Sequence, residues 1–285
     1  MLTGSSSLLI NKSFSESLVG RKDILEQYPL SFSEYCRFVD ESWLADQTLA
    51  LDPAEYHKLG VDKDKLKWLI ADYIVFGAYP QIVLARNKTE RIELLRDTIN
   101  SYILKDVKNL FRIEKIDQFN DLIRYLAINL GKELNIQAIS KTVGLYRDTV
   151  QNHLIALSEA YIINQVKPLY RNLNTEIRKM PKVYFVDTGV RNAILNNFNT
   201  LDLQPDRGEQ FENFIFNQLF LSRSITAEIR FWKTRNGQEI DFILLEEDRI
   251  TAYEVKYGVS HKNHFSAFQA AYPKAVCKLV SFNQS

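Results

Sequence analysis

Cysteine is nearly absent from this chain, and so are the features that mark a secreted or membrane-embedded protein. Only two of the 285 residues are cysteines, and Cys36 and Cys277 lie too far apart in the chain to show a metal-ligand spacing. No apolar run reaches the roughly eighteen residues that a membrane-spanning helix needs. Leu8–Ile10 is too short for the core of a signal peptide. We therefore expect a reduced, cytoplasmic protein without a membrane partner.

An excess of charge of one sign is also lacking. The chain has 36 lysines and arginines against 35 aspartates and glutamates, a net charge of +1. No global positive field attracts nucleic acid, so such a contact requires a local basic patch. Apolar residues make up 46% of the chain and charged residues 25%, as in ordinary folded domains. The length allows two or three domains, and changes of pattern predict divisions into 1–76, 77–198 and 199–285.

The middle of the chain has the pattern of a winged helix-turn-helix. A predicted helix around Phe119–Ala127 precedes a short helix that ends near Gly144, and a third helix covers about Tyr146–Ala160. The predicted strand Tyr161–Pro168 follows at once, which is typical of the winged variety. Four polar side chains of the third helix can enter a major groove, namely Arg147, Thr149, Gln151 and Asn152. Docking of another protein is an equally open alternative.

The last third of the chain has the pattern of a sheet with flanking helices. In order, the predicted elements are a helix (Gly208–Ser222), three strands (Glu228–Lys233, Glu239–Glu246, Ile250–Tyr257), a helix around His261–Tyr272 and a strand (Val276–Phe282). Alternation predicts that Ile240, Phe242 and Leu244 share one face and that Asp241 points the other way. Glu254 and Lys256 share a face of the next strand. Adjacent antiparallel strands therefore bring Asp241, Glu254 and Lys256 together.

This cluster suits metal-dependent chemistry on phosphate. Asp241 and Glu254 can hold Mg²⁺, which polarises a phosphate and orients an attacking water. Lys256 can stabilise charge on the phosphoryl oxygens or help to deprotonate the water, and Glu212 can supply a third catalytic carboxylate from the preceding helix. The alternative is a set of cross-strand ion pairs on a solvated sheet face. Against this alternative, Asp241 lies among apolar neighbours in the sequence. Burial of its carboxylate costs free energy unless the group is paired or metal-bound.

Basic residues near these strands form a candidate phosphate-binding rim. They are Arg223, Arg230, Lys233, Arg235 and Lys256. Strand alternation can place several of them near Asp241, and we predict that Arg235 contacts nucleic acid. An ordinary solvated edge has the same composition, so that alternative stays open.

Three segments of the last third resemble the PD-(D/E)XK nuclease superfamily. They are Gly208–Asn213, Phe231–Phe242 and Tyr253–Lys256. In particular, they resemble the C-terminal module, of unknown function, in a widespread family of prokaryotic AAA-type ATPases.

The likeness to that ATPase family extends along the rest of the chain. Leu2–Ser7 is similar to the end of the family's sensor-1 strand, and Glu16–Arg21 and Tyr28–Phe32 are similar to the segments that follow it. Gly77–Pro80 and Ile103–Val107 are similar to the join with the second module. The resemblance thus implies an α/β protein: an ATPase-core remnant with its helical lid, a winged helix-turn-helix, and a restriction-endonuclease-like α/β domain.

The ATP-binding residues of that family have no counterpart here. By resemblance, Ser5 or Ser6 lies where a γ-phosphate is sensed, and Arg21 faces a nucleotide. The sequence contains no Gly-x-x-x-x-Gly-Lys-Ser/Thr loop to cradle phosphates, and strand-borne acids for the ATPase magnesium are missing too. We therefore assign no nucleotide-binding residues and expect no ATP hydrolysis by this chain alone. Because Met1 begins at what resembles a strand end, we expect that further sequence precedes it in the intact protein.

Two hypotheses about function follow. The first is a DNA-associated fragment of an AAA-type ATPase whose last domain binds Mg²⁺ and contacts or cuts nucleic acid, with an ATPase core or further copies of itself as additional partners. The alternative is a non-catalytic module that binds nucleic acid or protein and regulates an ATPase, in which the nuclease-type fold is only a scaffold.

Overall fold

The chain folds into a mixed α/β structure around one six-stranded sheet. The computed structural model describes residues 26–50, 52–59, 62–170, 180–234, 236–258 and 265–282. Leu2–Ser7, Glu16–Arg21 and Arg235 lie outside these ranges, so the interpretations that rest on them stay predictions.

The first described part of the chain is helical. Its elements are α1 (Phe32–Phe38), α2 (Ser42–Ala50), a 3-10 helix (Pro53–Lys58), α3 (Lys63–Phe76) and α4 (Pro80–Val83). Ser31 and Glu34 form a reciprocal capping box, which satisfies free backbone donors where α1 begins.

Gly77 ends α3 at a tight junction with a later segment. Its φ of 75° is in the region that favours glycine, and a Cβ added there lies 2.1 Å from Oδ1 of Asp187. The Asp187 carboxylate accepts hydrogen bonds from the backbone N–H groups of Ala78 (2.7 Å) and Val190 (2.9 Å). This buried carboxylate joins the end of α3 to the segment that follows the winged region.

The next elements form the helical part of the middle module. They are α5 (Lys88–Thr98), a π-helix (Ile99–Val107), α6 (Lys108–Leu110), α7 (Ile116–Ile128), α8 (Ile136–Val143) and α9 (Arg147–Glu159). The sequence predicts one long helix over Thr89–Val107, whereas the second half is a π-helix. Apolar residues four apart face one side in either form, so their spacing does not distinguish the two.

The remaining elements complete the sheet and its helices. They are β1 (Ile163–Pro168), β2 (Lys182–Phe185), α10 (Thr188–Ile194), a 3-10 helix (Leu201–Leu203), α11 (Arg207–Ser222), β3 (Glu228–Lys233), β4 (Glu239–Glu246), β5 (Arg249–Lys256), α12 (Ser266–Ala271) and β6 (Val276–Ser281). The strand order is β2-β1-β3-β4-β5-β6. The β1–β3 and β5–β6 pairs are parallel, and the other neighbours are antiparallel.

Buried side chains pack on both faces of the sheet. On one face, Phe231 and Phe242 belong to a large cluster that also includes Phe32 of α1, Tyr73 of α3 and Phe214 of α11. On the other face, a smaller cluster packs under α12; its buried members are Trp232, Ile240, Ile243, Ala252 and Phe268. Residues of α7, α8 and α9 form a separate core with β1 and β2. The sheet therefore ties the middle of the chain to its last third.

Candidate functional site

Asp241 lies at a β-bulge in β4. Arg230 pairs with Ile243 and Trp232 with Ile240, so Asp241 and Phe242 together face the single residue Phe231. The bulge sends Ile240 into the outer cluster and Phe242 into the main core. The prediction that Ile240, Phe242 and Leu244 share one face is therefore wrong, because a bulge inserts one extra residue into the alternation.

The Asp241 carboxylate extends the ladder between β4 and β5. Paired residues run from Glu246↔Arg249 to Phe242↔Tyr253, and beyond them Oδ2 of Asp241 accepts a hydrogen bond from Val255 N–H at 2.8 Å. The side chain is 12% exposed. Burial of an acid at this point is thus compensated by a backbone donor.

Glu254 and Lys256 meet Asp241 at the end of β5. Nζ of Lys256 lies 2.6 Å from Oε1 of Glu254 and 4.0 Å from Oδ2 of Asp241. The structure therefore brings together the three side chains that the sequence singles out. Their ammonium and carboxylate groups converge on one point next to the bulge.

Glu212, the fourth predicted catalytic residue, binds partners that sequence reasoning missed. It lies on α11, where its Oε1 accepts a hydrogen bond from the Tyr184 hydroxyl and lies 3.4 Å from Nζ of Lys182. Both partners come from β2. A lysine at the start of the apolar run Pro181–Val186 is costly to bury without a partner, and this signal is of the same kind as the one that drew attention to Asp241.

A second chain of ion pairs continues from Lys182. Nζ of Lys182 lies 2.5 Å from Oε1 of Glu239. The other oxygen of Glu239 lies 3.2 Å from Nζ of Lys233, which also binds Glu133 in the loop after α7. We call the eight ionisable residues of this network the acid–lysine cluster: Glu133, Lys182, Glu212, Lys233, Glu239, Asp241, Glu254 and Lys256.

The acid–lysine cluster carries an excess of negative charge. Among the residues that the structure describes, five carboxylates share three ammonium groups, which leaves two uncompensated negative charges when all are ionised. Burial, followed by the Asp241 charge, raises the pKa of Glu254 to about 7. Burial also raises the pKa of Glu212 to about 7, against the opposing effect of Lys182. This excess equals in magnitude the charge of one divalent cation.

The lysines of the cluster stay charged. Burial alone lowers the pKa of Lys182, but the charges of Glu212, Asp241 and Glu239 outweigh burial and raise it above the ordinary value. The pKa of Lys256 is raised in the same way, with Asp241 and Glu254 opposing burial. Each ammonium group is therefore a fixed positive charge at neutral pH.

The geometry limits which metal ion the cluster can take. Within the described part of the chain, no three His, Cys, Asp or Glu side chains are grouped as ready ligands for a metal. Mg²⁺ does not need such a cage, because it keeps several waters and commonly binds one or two protein carboxylates. Asp241 and Glu254 meet that smaller requirement if the Lys256 ammonium between them moves aside.

The predicted nucleic-acid contacts lie apart from this cluster, on α9. Arg147, Gln151 and Asn152 are exposed, and Thr149 is partly exposed. The helix follows α8 after Gly144, whose left-handed conformation makes the turn between the two helices. The antiparallel strands β1 and β2 come next. The polar face of α9 is thus open to a partner.

Four of the five residues of the predicted basic rim have partners in the structure. The Arg223 guanidinium lies over the Phe220 ring, and Arg230 pairs with Glu228 at 2.7 Å. Lys233 and Lys256 belong to the acid–lysine cluster. Arg223 and Arg230 thus bind partners near their own positions, and their contact with phosphate stays a prediction. Arg235 lies outside the described residues.

Three family models match successive parts of the chain. Residues 1–36 match an AAA domain, residues 67–201 match a domain of unknown function (DUF8612), and residues 207–284 match another domain of unknown function (DUF4143). The first match relates the chain to the AAA family. Among the described residues, no helix has both the length and the apolar character that a bilayer crossing requires.

The similar proteins found are uncharacterised and prokaryotic. An uncharacterised protein of Methanocaldococcus jannaschii is 25% identical over 96% of this chain and 58% of its own length. One of Haemophilus influenzae is 23% identical over 93% of this chain and 60% of its own. One of Mycobacterium tuberculosis is 26% identical over 63% of this chain and 41% of its own. The chain thus spans three-fifths or less of these relatives. No solved structure matches it.

Proposed function

We propose that the last module of this chain is a nuclease-like domain that binds a divalent cation and cleaves phosphodiester bonds in nucleic acid, most readily DNA. The observation that carries the proposal is the convergence of Asp241, Glu254 and Lys256 beside a bulge. Bulges often re-aim side chains next to active sites. The excess negative charge around these residues and the resemblance of Phe231–Phe242 and Tyr253–Lys256 to PD-(D/E)XK nucleases support it.

Each residue of the cluster has a role in this proposal. Asp241 and Glu254 would hold Mg²⁺, and the ion would polarise the scissile phosphate and activate a water there. Lys256 turns its ammonium group from Glu254 towards the phosphoryl oxygens. Glu212, with its pKa near 7, accepts a proton from the attacking water.

The proposal also covers the partner of the nuclease-like domain and its nucleic-acid contacts. The N-terminal match to an AAA domain supports an attachment to an ATP-binding core, which serves as the partner of this module in the cytoplasm. Helix α9 supplies the nucleic-acid contacts through Arg147, Thr149, Gln151 and Asn152. These residues stand on a three-helix unit followed by two strands, which supports a winged helix-turn-helix.

Asp241→Asn tests the catalytic proposal. The amide keeps an acceptor for Val255 N–H but removes the charge that holds the cation. We expect wild-type protein with Mg²⁺ or Mn²⁺ to cleave a mixture of DNA and RNA substrates, and the variant to be slower by more than about 100-fold. Glu246→Gln, at the far end of the same strand, is the matched control and should cleave at the wild-type rate.

One observation favours a non-catalytic module instead. The Lys256 ammonium already occupies the space between Glu254 and Asp241, so the network can be a closed set of structural ion pairs. If wild-type protein neither cleaves nor binds Mn²⁺ in a calorimeter, the nuclease proposal is wrong. The fold then serves as a binding scaffold for an ATPase.

A further inference from the structure

Lys182 differs from the other lysines of the cluster in its enclosure. Its side chain is 6% exposed, compared with 35% for Lys256. Nζ lies between Glu239 at 2.5 Å and Glu212 at 3.4 Å, and 5.3 Å from the centre of the Phe231 ring. A charge held so far from water persists only because its partners surround it.

The two lysines therefore respond differently to an incoming cation. Lys256 is partly solvated, and its flexible stem can carry the ammonium group away from Asp241 and Glu254 at little cost. Lys182 has no comparable route to water, since it packs against Phe231 and both its acids are part-buried. At the Asp241–Glu254 end of the cluster, a metal ion can therefore replace the Lys256 ammonium group. At the Glu212–Glu239 end, the Lys182 ammonium group stays in place.

The different exposure of Lys182 and Lys256 affects how many metal ions the acid–lysine cluster can bind. Many phosphodiester-cleaving sites use two metal ions about 3.5–4 Å apart, one for each reacting oxygen. Here the net deficit of two positive charges equals one divalent ion, not two. A second ion at Glu212 and Glu239 has to displace a buried ammonium group that the charges of three carboxylates, Glu212, Asp241 and Glu239, stabilise against burial.

We propose that the site takes one divalent cation, between Asp241 and Glu254, and that the Lys182 ammonium group is the permanent second cation of the site. The inference rests on the proposed function, because it assigns the cation that the nuclease reaction needs. Lys182 then acts as a positioning residue: it keeps Glu212 and Glu239 in place and neutralises the charge next to the bound ion.

Metal stoichiometry tests the inference independently of activity. Titration of EDTA-stripped, full-length protein with Mn²⁺ in a calorimeter should give one ion per chain. In Lys182→Met the lost charge should be replaced by a second Mn²⁺, which gives two ions per chain. Lys182→Arg, which keeps the charge, is the control and should stay at one. Far-UV circular dichroism checks that each variant is folded.

The outcomes separate the two proposals. No Mn²⁺ binding by wild-type protein overturns the metal-dependent function, and the inference with it. Two ions per wild-type chain leave the function standing and overturn the role of Lys182. One ion per chain in folded Lys182→Met also overturns that role. If Lys182→Met does not fold, the wild-type count and Lys182→Arg decide, since a permanent ammonium cation requires one ion in both.

Discussion

At the scale of single residues, the main feature of the site is that several carboxylates lie close together and are partly shielded from water, which raises the free energy of their ionised forms. Glu212 and Glu254 have pKa values of about 7 because burial, together with the Asp241 charge, disfavours their ionised forms. Glu239 shows the opposite shift: burial raises its pKa, but Lys182 and Lys233 outweigh burial and lower it. Glu239, which contacts two lysines, is therefore ionised at neutral pH, whereas Glu212 and Glu254, with one lysine each, hold their protons more tightly.

The raised pKa values predict how stability depends on pH. The folded state binds these two protons more tightly than the unfolded chain, whose carboxyls titrate near the ordinary 4.5. Their favourable contribution is complete below about pH 4.5 and is lost as the pH rises through 7. In EDTA, urea unfolding should show a stability loss of up to about 3 kcal/mol per acid over this range, and Glu212→Gln should reduce that slope.

Metal ions should reverse the effect where the carboxylates are ionised. Under the proposed function, Mg²⁺ stabilises the protein at pH 8 and has little effect at pH 5, since protonated carboxyls are poor ligands. A stability that rises with pH between 5 and 7 in EDTA contradicts the shifted pKa values. An equal slope in Glu212→Gln contradicts the assignment to Glu212.

The residues of the site that adjacent strands bring together could be predicted from the sequence, whereas those from distant parts of the chain could not. Asp241, Glu254 and Lys256 belong to a β-hairpin, so the pairing of neighbouring strands was enough to predict that they meet, although the alternation predicted for β4 is wrong. Lys182 and Tyr184 of β2 reach Glu212 of α11 through a contact between separate elements, which local patterns in the sequence do not reveal. The bulge at Asp241 leaves no mark on the alternation of residue types either.

At the scale of elements, most strands and helices follow the sequence pattern closely. The predicted strands Glu228–Lys233 and Glu239–Glu246 have the observed bounds, because turn residues flank each apolar run. The predicted helix Tyr146–Ala160 is observed as Arg147–Glu159. The predicted helix around His261–Tyr272 corresponds to the observed helix Ser266–Ala271. Residues 261–264 of the prediction lie outside the described ranges.

The exposed polar face of α9 makes a testable prediction about DNA. Arg147→Ala should weaken binding of a fluorescent DNA duplex by about tenfold, corresponding to roughly 1–3 kcal/mol for a good arginine contact. Binding by wild-type protein should fall steeply with salt in an anisotropy titration. Arg37→Ala on α1 is the control, because this exposed arginine pairs with Asp46 and lies about 110 residues before α9 in the chain. Equal binding by both variants indicates that α9 serves another partner.

At the scale of the whole molecule, buried hydrogen bonds connect the three predicted divisions of the chain. Asn213 on α11 accepts from Phe185 N–H and donates to Phe185 C=O, both at 2.8 Å. Gln218 of the same helix accepts from Phe32 N–H at 2.8 Å. Asp52, near the start of the chain, accepts from the Tyr253 hydroxyl and pairs with Lys278. The acid–lysine cluster itself includes residues on both sides of the division near 198.

These connections predict that the described parts of the chain unfold together. Hydrogen exchange followed by mass spectrometry across a urea series should give one midpoint for peptides from α3, α7 and β4, because none keeps a closed core when the others open. Asn213→Ala removes two buried hydrogen bonds. It should lower the free energy of unfolding by about 2–3 kcal/mol and shift all three urea midpoints down together. Asn199→Ala, at an exposed position, should leave them unchanged. Separate midpoints, or a shift confined to β4, indicate that the last module folds by itself.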